Sequence, residues 1–215
     1  MAQKIEELIT QIVIAAAADN GCESIPSELI AAAAKIAPAL TPADVAKFPN
    51  LWYPPRSAKA AGAPKLKEGW GRLWFETLVE VLCQTGLVGL PALFELLERE
   101  TKTYHALVVV RLLRLAAADV CKKEILDKVK AKLPELEHEQ GCQCVREVML
   151  WATRGDQRLT RILRSMAKLK LKGIGEPTVD SVMKEWAESR ADNSWSPSYS
   201  PGHRISCDWV LPRTL

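Results

Sequence analysis

The chain has 215 residues, 48% hydrophobic and 26% charged, the composition of a globular protein with material for one large or two small domains. No apolar run approaches the ~20 residues of a membrane span, and Lys4, Glu6 and Glu7 stand ahead of the first apolar stretch where a secretory leader wants a basic start. An intracellular protein of cytoplasm or nucleus, with no membrane partner, is expected. The net charge of +3 is unevenly spread: residues 1–60 sum to −1, 61–153 to zero, 154–172 to +6 and 173–215 to −2. A local excess of this kind points to an anionic partner or to a solvated helix face.

The first predicted helix runs from Gln3 to Ala18, with Ile5, Leu8, Ile9, Ile12 and Val13 forming one apolar stripe. Asn20-Gly21 ends it. A second, alanine-rich helix starts near a Ser24 or Ser27 cap and reaches Ala37. Thr41-Pro42 reads as the cap and first position of a short helix. These elements make an N-terminal helical segment, 1–48. Residues 49–68, with Pro54-Pro55, Gly62 and Pro64, read as an irregular connection that Trp52 and Tyr53 pin to the body.

A helical body is expected over 69–190. Trp70 to Gln84 is a helix with Trp74, Leu78, Val81 and Leu82 on one face, stopped at Gly86. Gly89-Leu90-Pro91 opens another, to about Glu100. Thr103 to Val120 is apolar nearly all round, which places it at the centre of the fold. Lys122 to Leu133 follows. Gly141-Cys142 precedes a helix ending near Thr153. Asp156 caps the next, an amphipathic helix over 157–169. Residues 191–215 form an irregular tail with two Ser-Pro pairs, Trp195 and Trp209.

The stretch Gly89-Leu90-Pro91-Ala92-Leu93-Phe94-Glu95-Leu96-Leu97-Glu98 resembles the second helix of HEAT-type repeats. The resemblance covers about residues 72–170. It implies an all-α fold of stacked antiparallel helix pairs, since each pair exposes an apolar face that a neighbour must cover. A HEAT-like α-solenoid and an irregular helical bundle are both compatible with it.

On a helical wheel, Arg158, Arg161, Arg164 and Lys168 fall within a sector of about 120°. Leu159, Ile162, Leu163, Met166 and Leu169 take the other side. A basic stripe of this kind suits phosphates. The run Leu171-Lys172-Gly173-Ile174-Gly175-Glu176-Pro177-Thr178-Val179, with Val182 and Met183, resembles the helix-hairpin-helix motif of DNA-binding proteins, about residues 163–186. The resemblance implies a turn whose two glycines take positive φ, Ile174 as an apolar plug, and amides at the next helix N-terminus aimed at a phosphate. Pro177 would sit in the first turn of that helix. Lys168 departs from the motif's apolar spacing, and Glu176 sets a negative charge beside the phosphate site.

The implied site residues are therefore Arg158, Arg161, Arg164, Lys168, Lys170, Lys172, Gly173, Ile174, Gly175 and Thr178. They describe a non-enzymatic protein that contacts nucleic-acid backbone phosphates. One rival is a protein–protein adaptor or inhibitor, favoured by the HEAT-like wording and the near-neutral first 153 residues. Another is a helix-hairpin-helix DNA glycosylase. Pro177 stands where bifunctional members carry a lysine, and the downstream acids Asp192 and Asp208 lack the family's setting. His138, Cys142 and Cys144 fall short of the paired spacing of a zinc site. Six dispersed cysteines are not a disulfide scaffold. His105 reads as a core or boundary histidine. No phosphate loop, hydrolase elbow or dinucleotide fingerprint is present, so no catalytic residue, metal or small-molecule cofactor is expected.

Overall fold

A computed structural model describes residues 26–51, 70–99, 104–153, 155–173, 175 and 177–191. The expected helix over 3–18, Trp52, Tyr53, Arg154 and the tail beyond Ala191 lie outside the described residues. Those described form an all-α fold, without strands and with one isolated β-bridge between Lys170 and Thr178. The chain divides into two compact units, Met1–Lys132 and Leu133–Leu215. The division falls inside the stretch 69–190 that the sequence suggests as one body.

In the first unit, α1 spans Pro26–Ile36. Thr41 caps α2, Pro42–Val45, by a reciprocal pair of hydrogen bonds with Asp44. The expected irregular connection begins later than residue 49, because Phe48–Leu51 is a 3-10 turn. Trp74 holds that turn by donating from Nε1 to the Leu51 carbonyl at 2.8 Å. Trp74 lies on α3, Trp70–Gln84, where Trp74, Leu78, Val81 and Leu82 are all fully buried. Gly86, at φ 61°, ends that segment. Gly89 starts α4, Leu90–Glu98, where a Cβ would collide with the Leu82 carbonyl and the Thr85 hydroxyl. The Pro91-Ala92-Leu93 opening therefore depends on a close backbone approach that only glycine permits.

The central helix α5 spans His105–Ala117 and buries twelve of its thirteen residues. It packs against α3, α4 and α6, the last spanning Lys122–Lys132. At its C-terminus Asp119 takes φ 59°, Val120 N–H donates to Leu115 and Asp119 N–H donates to Ala116. This 6→1 and 5→2 pair satisfies the last carbonyls and stops the helix.

Arg111 is completely buried on this apolar helix. Its guanidinium donates to Glu80 at 3.0 Å and to Glu76 at 3.2 Å, while Arg114 reaches Glu80 at 2.7 Å. Two cations and two anions thus balance between α3 and α5. Burial pushes the Glu80 carboxyl up, but Arg111 and Arg114 outweigh it and hold the group below the usual carboxylate range. Cys83, whose thiol lies 3.7 Å from the Arg111 carbonyl, is pushed up to about 11 by burial and has no thiolate character near neutrality.

His105 is the second buried titratable group of α5. One ring nitrogen meets the Arg99 carbonyl at 2.9 Å; Nδ1 is buried with no hydrogen-bond partner among the described residues. Burial holds the ring below its ordinary pKa, against the pull of the Arg99 hydrogen bond. The folded state therefore resists protonation that the unfolded chain accepts near pH 6.5. Stability is full above that pH and is lost as pH falls below it. Urea midpoints measured from pH 7.5 to 5.5 should decline, and His105→Gln should flatten part of the decline. An equal slope in the variant would contradict this assignment.

Candidate nucleic-acid interface

The second unit is built on α7, His138–Thr153, which packs against α8, Gln157–Ser165, and α9, Val179–Ala191. α7 begins before Gly141, not after it as the sequence suggests. Gly141 is a buried helical residue, and a Cβ there would meet the Leu133 carbonyl at 3.5 Å and the Leu171 side chain at 3.8 Å. Both are ordinary contacts. Packing around this position overrides the low helix propensity of glycine.

Asp156 caps α8 as its sequence suggests, accepting from the Arg158 amide at 3.1 Å. Its carboxylate also takes the Arg158 side chain in a bidentate pair at 2.9 and 3.1 Å. Leu159, Ile162 and Leu163 are buried against the unit's core, and Arg158, Arg161 and Arg164 are exposed. The predicted pairing of faces is thus present over this helix. On the neighbouring α7, Glu147 accepts from the Gln143 side-chain amide at 3.0 Å.

The helix is shorter than the 157–169 expected. It stops at Ser165, whose hydroxyl donates to the Ile162 carbonyl at 2.6 Å, and residues 166–168 form a turn. Lys168 therefore leaves the helix. Beyond it the chain is extended. Leu171 N–H donates to the Pro177 carbonyl at 2.7 Å, Val179 N–H to Leu169 at 3.1 Å and Asp180 N–H to Ala167 at 3.1 Å. From the end of the turn along this extended limb, Lys168, Lys170 and Lys172 are exposed, Leu171 is buried and Leu169 is half-buried. The alternation Lys-Leu-Lys-Leu-Lys is the two-residue period of an extended strand, a signal that the helical reading of these residues passes over.

At the tip, Gly173 has φ 146° and Gly175 φ 79°, the positive values expected of both glycines. Ile174 and Glu176 lie outside the described residues. Pro177 precedes α9 and is not part of its first turn. Thr178 caps α9: its hydroxyl accepts from Ser181 N–H at 3.2 Å and its own N–H donates to the Ser181 hydroxyl at 2.9 Å. Val182 N–H donates to the Thr178 carbonyl. Every amide from Thr178 to Val182 is thus satisfied within the unit. The helix N-terminus that the hairpin resemblance would aim at a phosphate is closed by internal acceptors, and Thr178 serves the cap.

What remains is a row of side chains. Among the described residues Arg161, Arg164, Lys168 and Lys172 make no ion pair. The neighbouring charges are engaged elsewhere: Arg146 with Glu185 at 3.0 Å and Lys184 with Asp180 at 2.9 Å. Trp186 is buried in α9 with the Arg190 guanidinium 5.1 Å from its ring centre, an anchoring position for that helix.

Other chemistry finds little support nearby. Among the described residues no three His, Cys, Asp or Glu side chains are grouped to hold a metal ion. Cys142 and Cys144 are buried, and burial raises both thiols. Asp192 and Asp208 lie outside the described residues.

Compared with family models, curated proteins and solved structures, the chain matches none. No likeness therefore weighs for or against the HEAT-type or helix-hairpin-helix resemblance. Any functional reading of the second unit rests on its side-chain geometry.

Proposed function

We propose that this chain is a non-enzymatic helical protein that binds nucleic-acid backbone phosphates through the basic row of its second unit. One observation carries the reading: six cations stand exposed on α8 and the limb above a buried apolar layer, and four of them are unpaired among the described residues. Arg161, Arg164, Lys168 and Lys172 supply the main contacts. Arg158, shared with Asp156, and Lys170 add to the field. The Gly173–Gly175 turn contributes shape, since the α9 amides are occupied. Contacts of this kind fix position on a backbone and do not read bases.

The test replaces Arg161, Arg164, Lys168 and Lys172 by glutamate together. These side chains are exposed, so folding by circular dichroism should be unchanged. Binding to a fluorescent duplex and to a single strand should fall by at least about a hundredfold at low salt, given four lost phosphate contacts. Retention equal to that of the unaltered chain would remove the proposal. Capture of a stoichiometric protein from nuclease-treated extract, without nucleic-acid binding, would replace it with the adaptor reading.

A further inference from the structure

The extended limb that carries Lys168, Lys170 and Lys172 has little to hold it. It pairs along one edge with residues 177–180, through a single β-bridge and its flanking hydrogen bonds. A two-stranded pairing of that size is marginal by itself. Its tip runs into Gly173 and Gly175, both at positive φ, where glycine carries the largest ordering entropy. The limb is nevertheless in register with the unit.

Two contacts from the first turns of α7 reach this limb. Leu171 packs beside Gly141, with its side chain 3.8 Å from where a Cβ would stand. One turn earlier, His138 opens the helix, and its Nδ1 lies 3.0 Å from the Lys172 carbonyl. A carbonyl accepts only, so Nδ1 carries the proton and donates. The ring lies against the backbone of Gly173, where a Cβ would collide with Nδ1 and Cγ. Glycine at this position thus serves a close approach as well as a turn. Cys142, at 3.8 Å from the same Nδ1, flanks the ring on its own helix.

We propose that His138 is a positioning residue for the basic limb, a role that rests on the phosphate-binding reading above. Its imidazole clasps the Lys172–Gly173 peptide to α7, so that Lys170 and Lys172 are ordered before nucleic acid arrives. Its contribution is geometric. Removing the ring leaves every charge of the row in place but returns the limb to a looser ensemble, which must then be ordered on binding.

The full chain is compared with His138→Ala and His138→Asn in one buffer. Asparagine keeps a donor close to the position of Nδ1. The first readout, taken without nucleic acid, is amide exchange over residues 168–173. His138→Ala should speed it by up to about tenfold, the effect of one modest hydrogen bond, and asparagine should restore most of the protection. The second is affinity for a fluorescent duplex at low salt. It should fall by up to about tenfold in the alanine variant at unchanged net charge, with recovery in the asparagine variant. Unchanged exchange in His138→Ala overturns the clasp. Faster exchange with unchanged affinity overturns the positioning role. A wild-type chain that binds no duplex overturns the phosphate reading instead, and the clasp then stands or falls on exchange alone.

Discussion

Replacing Arg111 by methionine is expected to destabilise the first unit by about 3–5 kcal/mol. The side chain lies at zero exposure between Glu76 and Glu80, and Glu80 is itself fully buried. Among the described residues, its removal leaves Glu80 with Arg114 as its only cation and Glu76 with none. The cost arises less from the lost attraction than from carboxylates stranded in an apolar helix interface. For a chain of this size the melting temperature should drop by roughly 6–20 °C. Replacing Arg111, Glu76 and Glu80 together by methionine, glutamine and methionine should recover part of the loss, because no carboxylate then remains stranded in the interface, while Arg114 loses its Glu80 partner but keeps 18% exposure to solvent. Thermal unfolding followed by circular dichroism reads both results. A single-variant drop under about 2 °C, or a triple variant worse than the single, would contradict the buried network.

The affinity of the basic row for duplex DNA should fall steeply with salt. Each neutralised phosphate contributes a slope of about −0.9 in log K against log salt. Four unpaired cations give about −3.6 and all six give about −5.4. The Asp156 carboxylate competes for Arg158, so a value nearer the lower end is expected. Between 50 and 200 mM salt, the corresponding loss of affinity is about a hundredfold to two-thousandfold. The four-glutamate variant should show a slope near zero. A wild-type slope flatter than about −1 would mean that these cations do not meet phosphates.

Much of the fold is legible along the chain, because long apolar periods leave little choice. Trp74, Leu78, Val81 and Leu82 declare the buried face of α3, and the apolar run of α5 declares its central place. The Asp156 and Thr41 caps are also readable. The Arg111 network is not, because Glu80 and Arg111 stand 31 residues apart and their pairing exists only once α3 meets α5. On a helical wheel each is just a charge on an apolar element.

The site is legible in its charge and less so in its form. Arg158, Arg161 and Arg164 over Leu159, Ile162 and Leu163 are visible as a helix face. From Lys168 onward two periods compete. Met166 and Leu169 continue the helical one, while Lys168 to Lys172 alternate as a strand does, and the hydrogen bonds to residues 177–180 favour the second. The hairpin resemblance draws attention to the glycines. It does not show that the Thr178 hydroxyl and the carbonyls of Ala167 and Leu169 occupy the first α9 amides. Nor does it show His138 against Gly173, because those residues meet only through tertiary packing.

A lysine footprint tests the central claim most directly. The full chain is acetylated briefly, with and without saturating duplex at low salt, and modification is read at each lysine by mass spectrometry. Lys168, Lys170 and Lys172 should be protected by bound duplex. Lys122 and Lys123 on α6, and Lys184 on α9, are also exposed and should each react at the same rate in both samples. Protection confined to the limb is the predicted result; protection at Lys122 and Lys123 with an unprotected limb would contradict the account.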